Sequence, residues 1–459
     1  MEGVIGILLS LGLLMYLAYR GISVIILAPV LAMLAVVIAG EGGQMLGIYT
    51  QIFMTKMGSF AIKYFPIFLL GAIFGKLMED SGSAKVIAHS IISGLGMKHA
   101  SLAIVLACGL LTYGGVSAFV VAFAVYPLAA AMFREANLPK RFVPACIALG
   151  AFTFTMTCLP GTSQIHNIIP TSYFGTTMYA APVIGLAAGL AMMLGGLWWI
   201  NKRIKSHQAE GYGDNHSNEP VILKDHNLPS IWVALAPILI VVVANFLLQK
   251  MVIPSWDTTY LATDKFGNTP VNKLTAIWSM IMALIMAIIT VVALNWSKFA
   301  DVNGSMTKGA MGSMLPTFNT ASEVGYGGTI ASLGAFVLVR EAVINISPEN
   351  PLVSEVVAVN VLAGITGSAS GGLTIALEAL GTTYADLAVQ FNINPEWMHR
   401  LASMASGGFD SLPHNGAVIT LLTICGLSHK QSYKDIFMVS LAIPVTVTAI
   451  TVGVLSFIF

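Results

Sequence analysis

The chain has 459 residues, of which 56% are hydrophobic and only 9% charged, and its net charge is +1. A soluble domain carries roughly 25% charged residues, and no water-soluble surface can be built from so few charges, so a soluble enzyme, a nucleic-acid binder and a disordered chain are excluded. A mean hydropathy of +0.82 leaves an all-α polytopic membrane protein. At about 20 apolar residues per crossing the length holds roughly ten to twelve spans. The apolar runs are continuous rather than alternating, which excludes a β-barrel pore.

In chain order, Met1-Glu2-Gly3 offers neither a basic leader nor a small-residue cleavage site, so residues 3–19 read as a retained first helix. Residues 22–40 form the second. Segment 41–64 reads as amphipathic and interfacial, and 65–78 as a span ending near Lys76, Glu79, Asp80 and Lys85. Residues 99–134 surround a Gly-Gly break and have basic flanks on both sides (Lys98; Arg134, Lys140, Arg141), which predicts a re-entrant hairpin. Segment 142–171 crosses with a break at Pro160, and 178–200 returns. Residues 201–228 carry eight charges in 28 positions. With Lys202, Arg203, Lys205 and Lys224 they read as a cytoplasmic linker. It separates a first repeat, 1–200, from a second, 229–459. Cys108, Cys146, Cys158 and Cys425 lie inside apolar runs without metal-ligand spacing and read as small buried hydrophobes.

The two halves resemble each other. Tyr113-Gly114-Gly115-Val116-Ser117 and Cys158-Leu159-Pro160-Gly161-Thr162 interrupt apolar runs in the first. Thr366-Gly367-Ser368-Ala369-Ser370 and Ser411-Leu412-Pro413-His414-Asn415 do so in the second. Pro160 follows Gly114 by 46 positions, Pro413 follows Gly367 by 46, and the halves are offset by 253. Five crossings and one hairpin per half predict two inverted repeats, with about ten transmembrane helices and two re-entrant hairpins. Charge agrees in sign: Arg134, Lys140 and Arg141 face only Arg400 in the counterpart loop 387–400, and 172–181 has no Lys or Arg where 428–434 has Lys430 and Lys434.

Unwound backbone inside lipid survives only where protein covers it or water reaches it. Such breaks expose helix starts, each with about half a positive charge, so four converging breaks predict an anion site that needs no buried arginine. Ser117, Thr157, Thr162, Ser163, Ser368, Ser370 and Ser411 supply hydroxyls. Gly114, Gly115, Gly161, Gly367 and Gly371 supply positive φ and close approach. The competing reading is that these small residues only pack helices. Ionisable residues at this depth are costly and usually functional. Asp410 and His414 flank the second break, Asn415 follows it, His166 follows the first, and Glu323 sits in Thr320-Ala321-Ser322-Glu323. Asp410, His414 and Glu323 are candidate proton carriers. The structural alternative has Asp410 capping the helix that starts near Pro413 and His414 as a neutral filler. Glu378 and Asp386 read as outer-surface residues, Arg340 and Glu341 as interfacial anchors. Nucleotide-binding and metalloprotease motifs and a nucleophile elbow are missing, so no enzyme, cofactor or metal is expected.

The run Leu70-Gly71-Ala72-Ile73-Phe74-Gly75-Lys76-Leu77-Met78-Glu79-Asp80-Ser81-Gly82, with Ala84, Ile87-Ala88, Gly96-Met97-Lys98-His99 and Gly367-Ser368-Ala369, resembles the gluconate permease (GntP) family. That resemblance implies a bacterial inner-membrane symporter, usually proton-coupled, for gluconate and other small hydroxy or amino acids. The wider ion-transporter superfamily implies inverted repeats, paired hairpins, a homodimer and elevator-type motion. At the breaks the chain departs from the gluconate pattern. Met156-Thr157-Cys158-Leu159-Pro160-Gly161-Thr162-Ser163-Gln164 stands for a proline- and histidine-rich run, and Tyr113-Gly114-Gly115 stands where gluconate members carry a glutamate. A shorter monocarboxylate such as 3-hydroxybutyrate or lactate, and coupling to Na⁺, stay open. An ion channel is the reading from another class.

Overall fold

The computed structural model describes residues 2–20, 22–213, 228–413 and 415–458; they are helical, with no strand among them. The helices are α1 (Glu2–Tyr19), α2 (Val24–Ile38), α3 (Gly42–Asp80), α4 (Ser83–Leu95), α5 (Met97–Tyr113), α6 (Ala118–Glu135), α7 (Val143–Ala151) and α8 (Pro182–Ser206) in the first half. The second half holds α9 (Ile231–Ser255), α10 (Asn272–Lys298), α11 (Val302–Ser332), α12 (Phe336–Ile344), α13 (Pro351–Thr366), α14 (Ala369–Gln390), α15 (Pro395–Ser406), α16 (Gly416–Cys425) and α17 (His429–Ser456). The offset of 253 maps α3 onto α11, α5 onto α13, α6 onto α14, α7 onto α15 and α8 onto α17.

Among the described residues, five helices (α3, α8, α9, α10 and α17) are long and apolar enough to cross a bilayer, or seven spans if each bent pair counts as one. The bent pairs are α4–α5, at 104°, and α11–α12, at 97°. About ten were expected. The difference arises because glycine and proline breaks cut the remaining apolar runs, such as Val24–Ile38, Pro351–Thr366 and Gly416–Cys425, below the length of a full crossing. Segment 41–64 corrects the sequence reading: it is not a separate interfacial element but the first part of the 39-residue α3. Its polar Lys56, half-exposed, pairs with Glu378 of α14. Glu378 is therefore not a free outer-surface residue. Helix α8 continues to Ser206, into the stretch expected as linker; residues 214–227 lie outside the described part.

Helix α3 lies against α11 along most of its length, and these two form the middle of a row. In that row α1 packs on α2, α2 on α11, α3 on α10 and α10 on α9. The hairpins α5–α6 and α13–α14, with α7, α8 and α15–α17, build the other side of the molecule. Small residues set these close contacts. On α8, a Cβ at Gly185 would lie 2.4 Å from the Cys158 carbonyl, and one at Gly196 would lie 2.5 Å from Leu149. The opposite face of α8 carries an exposed stripe of Val183, Leu186, Leu190, Leu194 and Trp198, the pattern of a lipid-facing surface. All four cysteines are free and buried.

Candidate functional site

Both hairpins turn where the sequence places its glycines. In the first, Gly115 has φ +95° and Ser117 caps α6, its hydroxyl accepting from the Val120 N–H at 3.4 Å. In the second, Gly367 has φ +64° and Ser368 caps α14, accepting from the Gly371 N–H at 3.0 Å. Gly161 also needs its positive φ, +77°. Gly114 and Gly371 do not, which corrects the expectation for them. They are required by approach: a Cβ on Gly114 would lie 2.6 Å from Ile238, and one on Gly371 would lie 1.7 Å from Glu323 Oε2.

Each tip is tied to the break of its own half. The Tyr113 hydroxyl donates to the Pro160 carbonyl at 2.9 Å, the Ser163 hydroxyl to the Tyr113 carbonyl at 3.0 Å, and the Gln164 amide to the Thr112 carbonyl at 2.7 Å. Across the second half, the Asn415 amide donates to the Gly367 carbonyl at 2.8 Å. Its oxygen accepts from the Ala417 and Val418 N–H groups. The cap of α16 is thus Asn415, not Asp410. The two breaks also meet: a Cβ on Gly407 would lie 2.8 Å from Thr157, whose carbonyl accepts from the Ser403 hydroxyl at 2.8 Å. Several candidate hydroxyls are spent on backbone here, Thr157 donating to the Thr153 carbonyl and Thr162 to the Thr155 carbonyl.

Arg400 corrects one expectation. It is not a loop charge but a fully buried residue of α15, which leaves its loop 387–400 without a Lys or Arg against the three in 134–141. Its guanidinium donates to the Ala180 carbonyl at 2.8 Å, to Asn167 Oδ1 at 3.0 Å, and at longer range to the Met178 and Thr157 carbonyls. It supplies buried donors to backbone carbonyls on both sides of the first break, Thr157 before it and Met178 and Ala180 after it. His399 bonds Thr176 and the same Asn167 oxygen. A sequence signal existed: Asn394-Pro395-Glu396 is a helix start, with the Asn394 side chain accepting from the Glu396 N–H.

Four carboxylates are buried; Asp435 is paired with Arg203, and the other three have no cation partner among the described residues. Asp410 lies in a single turn between the second hairpin and α17; it accepts from the Ser411 hydroxyl at 3.2 Å, and Tyr433 donates to the Ser411 carbonyl at 3.0 Å. Glu323 lies on α11 against the second tip, next to Thr320, whose hydroxyl is 3.5 Å from that of Ser370. Glu355 of α13 is the residue that sequence reasoning passed over. It is fully buried, neither oxygen has a hydrogen-bond partner, and it lies near Tyr384. An acid inside the apolar run 352–365 was the available signal. His166 is buried with Nδ1 unpartnered. His414 lies outside the described residues. The second tip thus gathers a helix start, the Ser368 and Ser370 hydroxyls and a buried acid.

The profile described as "GntP family permease" matches residues 3–457. The chain is 46% identical over 451 residues to YxjC of Bacillus subtilis (strain 168), described as an uncharacterised transporter, covering 95% of each chain. It is 24% identical over 417 residues to the gluconate permease of Zymomonas mobilis, covering 88% of this chain and 86% of that one. Its fold is similar to that of the YdaH transporter of Alcanivorax borkumensis, with TM-score 0.55 at 16% identity, covering 90% of this chain and 88% of the other.

Proposed function

The chain belongs to the GntP family of permeases, a multi-pass membrane transporter family, and from that premise we infer that it imports a small hydroxy-acid anion such as gluconate by proton symport. The observation that carries this reading is that each interrupted hairpin tip is bonded to an interrupted crossing, by Tyr113 to Pro160 in one half and Asn415 to Gly367 in the other. Irregular backbone at this depth needs a covered or wet site, and its helix starts suit a carboxylate. Gly115, Ser117 and Ser163 would line the first tip; Gly367, Ser368, Ser370 and Ser411 would line the second. Asp410, buried beside the second tip, is the proposed proton carrier.

The reading includes two inverted repeats with ten spans and two hairpins, a bacterial inner-membrane location and a homodimer. The α1–α2–α11–α3–α10–α9 row would stay fixed while the hairpin side moves as an elevator. The recurrence of elements at 253 positions and the division of contacts support that reading.

Proteoliposomes test it. An imposed pH gradient, alkaline inside and without sodium, is expected to drive gluconate uptake, and Asp410→Asn to abolish the drive. Uptake of 3-hydroxybutyrate or lactate instead would move the substrate to short monocarboxylates. Uptake driven only by a sodium gradient would move the coupling ion. Flux far above about 10³ s⁻¹ would point to a channel, because alternating access runs on μs–ms and slower domain motions.

A further inference from the structure

The second hairpin tip is already in contact with a carboxyl group of this chain. Helix α14 is 22 residues long and starts at Ala369. Its first N–H groups have no partner within the helix and concentrate partial positive charge there. Only the Gly371 N–H is capped, by the Ser368 hydroxyl. Glu323 reaches this start from the neighbouring α11. Its side chain is 2% exposed, and Oε2 is buried without a hydrogen-bond partner. A Cβ on Gly371 would lie 1.7 Å from Oε2, 2.3 Å from Cδ and 2.9 Å from Oε1, so the whole carboxyl rests on the glycine.

The surrounding packing holds it there. Thr320 meets Ser370 one turn before Glu323, and a Cβ on Gly327, one turn after it, would lie 3.0 Å from Ile375. Residues 320, 323 and 327 lie on one face of α11, and that face runs along 370, 371 and 375 of α14. A buried acid would ordinarily have a cation or several donors. This one has a single side-chain partner, the Ser368 hydroxyl that caps the start of α14.

We propose that the start of α14 is the subsite for the carboxylate of the transported acid, and that Glu323 occupies it in this conformation as a tethered competitor. The proposal rests on the transport reading and deepens it. Two carboxylates cannot share one small buried site at full charge. Substrate entry and the withdrawal of Glu323 are therefore one event, and the contact between α11 and α14 opens when the acid binds. A group that merely braces the fold, or one that hydrogen-bonds substrate hydroxyls, would behave differently when neutralised.

The test is calorimetric binding of potassium gluconate to the purified full-length protein, its Glu323→Gln variant and its Glu323→Ala variant, with neutral glucitol as control. Both variants are expected to bind gluconate about tenfold more tightly than wild type, in the range of a partly buried anion contact at a helix start. Glucitol binding is expected to be unaffected. Unchanged or weaker gluconate binding by both variants overturns the proposal while leaving the transport reading in place. Binding by the variants alone supports it. If none of the three proteins binds gluconate, 3-hydroxybutyrate or lactate, the transport reading fails and the proposal falls with it.

Discussion

The two hairpin tips are built at equivalent positions of the repeat and have different surroundings. Position 70 of α3 and position 323 of α11 correspond by the offset of 253, yet one is leucine and the other glutamate. Val120, whose N–H meets the cap of α6, stands where Gly371 must be glycine to admit that glutamate. The first tip lies under the apolar Ile238, with a Cβ on Gly75 of α3 only in ordinary contact, 3.7 Å from the Ser117 nitrogen. The second packs closely along α11. A duplicated backbone thus fixes where chemistry can occur, and single side chains decide which copy performs it.

The sharpest way to break the comparison is at positions 147 and 400, also equivalent, where isoleucine and arginine are both fully buried. Arg400→Leu strands the Ala180 carbonyl and removes one of the two partners of Asn167 Oδ1, and is expected to cost roughly 3–5 kcal/mol, as for other broken buried polar networks. Ile147→Val should cost about 0.5–1.5 kcal/mol. Denaturant unfolding in detergent checks both; equal losses would mean that the arginine does not support the first break.

Gly371→Ala gives the second tip a side chain where the first carries Val120. It forces the Glu323 carboxyl aside and should cost about 1–3 kcal/mol by overpacking. The double variant Gly371→Ala/Glu323→Ala should recover most of that loss. If it does not, the glycine serves something other than the acid.

Asn415→Ala removes the cap of α16 and the bond to Gly367 together, so a loss of about 1–2 kcal/mol is expected. At the corresponding position 162, Thr162→Val removes one hydroxyl bond and should cost about 1 kcal/mol. Lys56→Ala removes a half-exposed partner of Glu378 and should change stability by no more than about 1 kcal/mol, less in high salt. A larger effect would show that this pair carries more than a surface contact.

The repeat and its four interruptions were legible because glycine, proline and hydroxyl residues punctuate otherwise unbroken apolar runs. What was lost depended on tertiary contacts. Polar residues in 41–64 read as interfacial because nothing in the sequence reveals that Lys56 meets Glu378. Arg400 read as a loop charge because its partners are mostly backbone carbonyls, which leave no mark in the sequence. Glu323 was visible as an acid in an apolar span, but its placement on Gly371 was not, since the two lie on separate helices. Gly114 and Gly371 read as positions of positive φ and close approach, and only the close approach, to side chains of this chain, is found.

The four interior thiols have a practical consequence. Because Cys108, Cys146, Cys158 and Cys425 are all shielded, a cysteine introduced on a water-facing loop will be the reactive site for a maleimide or spin label without first stripping the native ones. Distance measurements between the row of helices and the hairpin side can therefore be made in an otherwise unaltered protein.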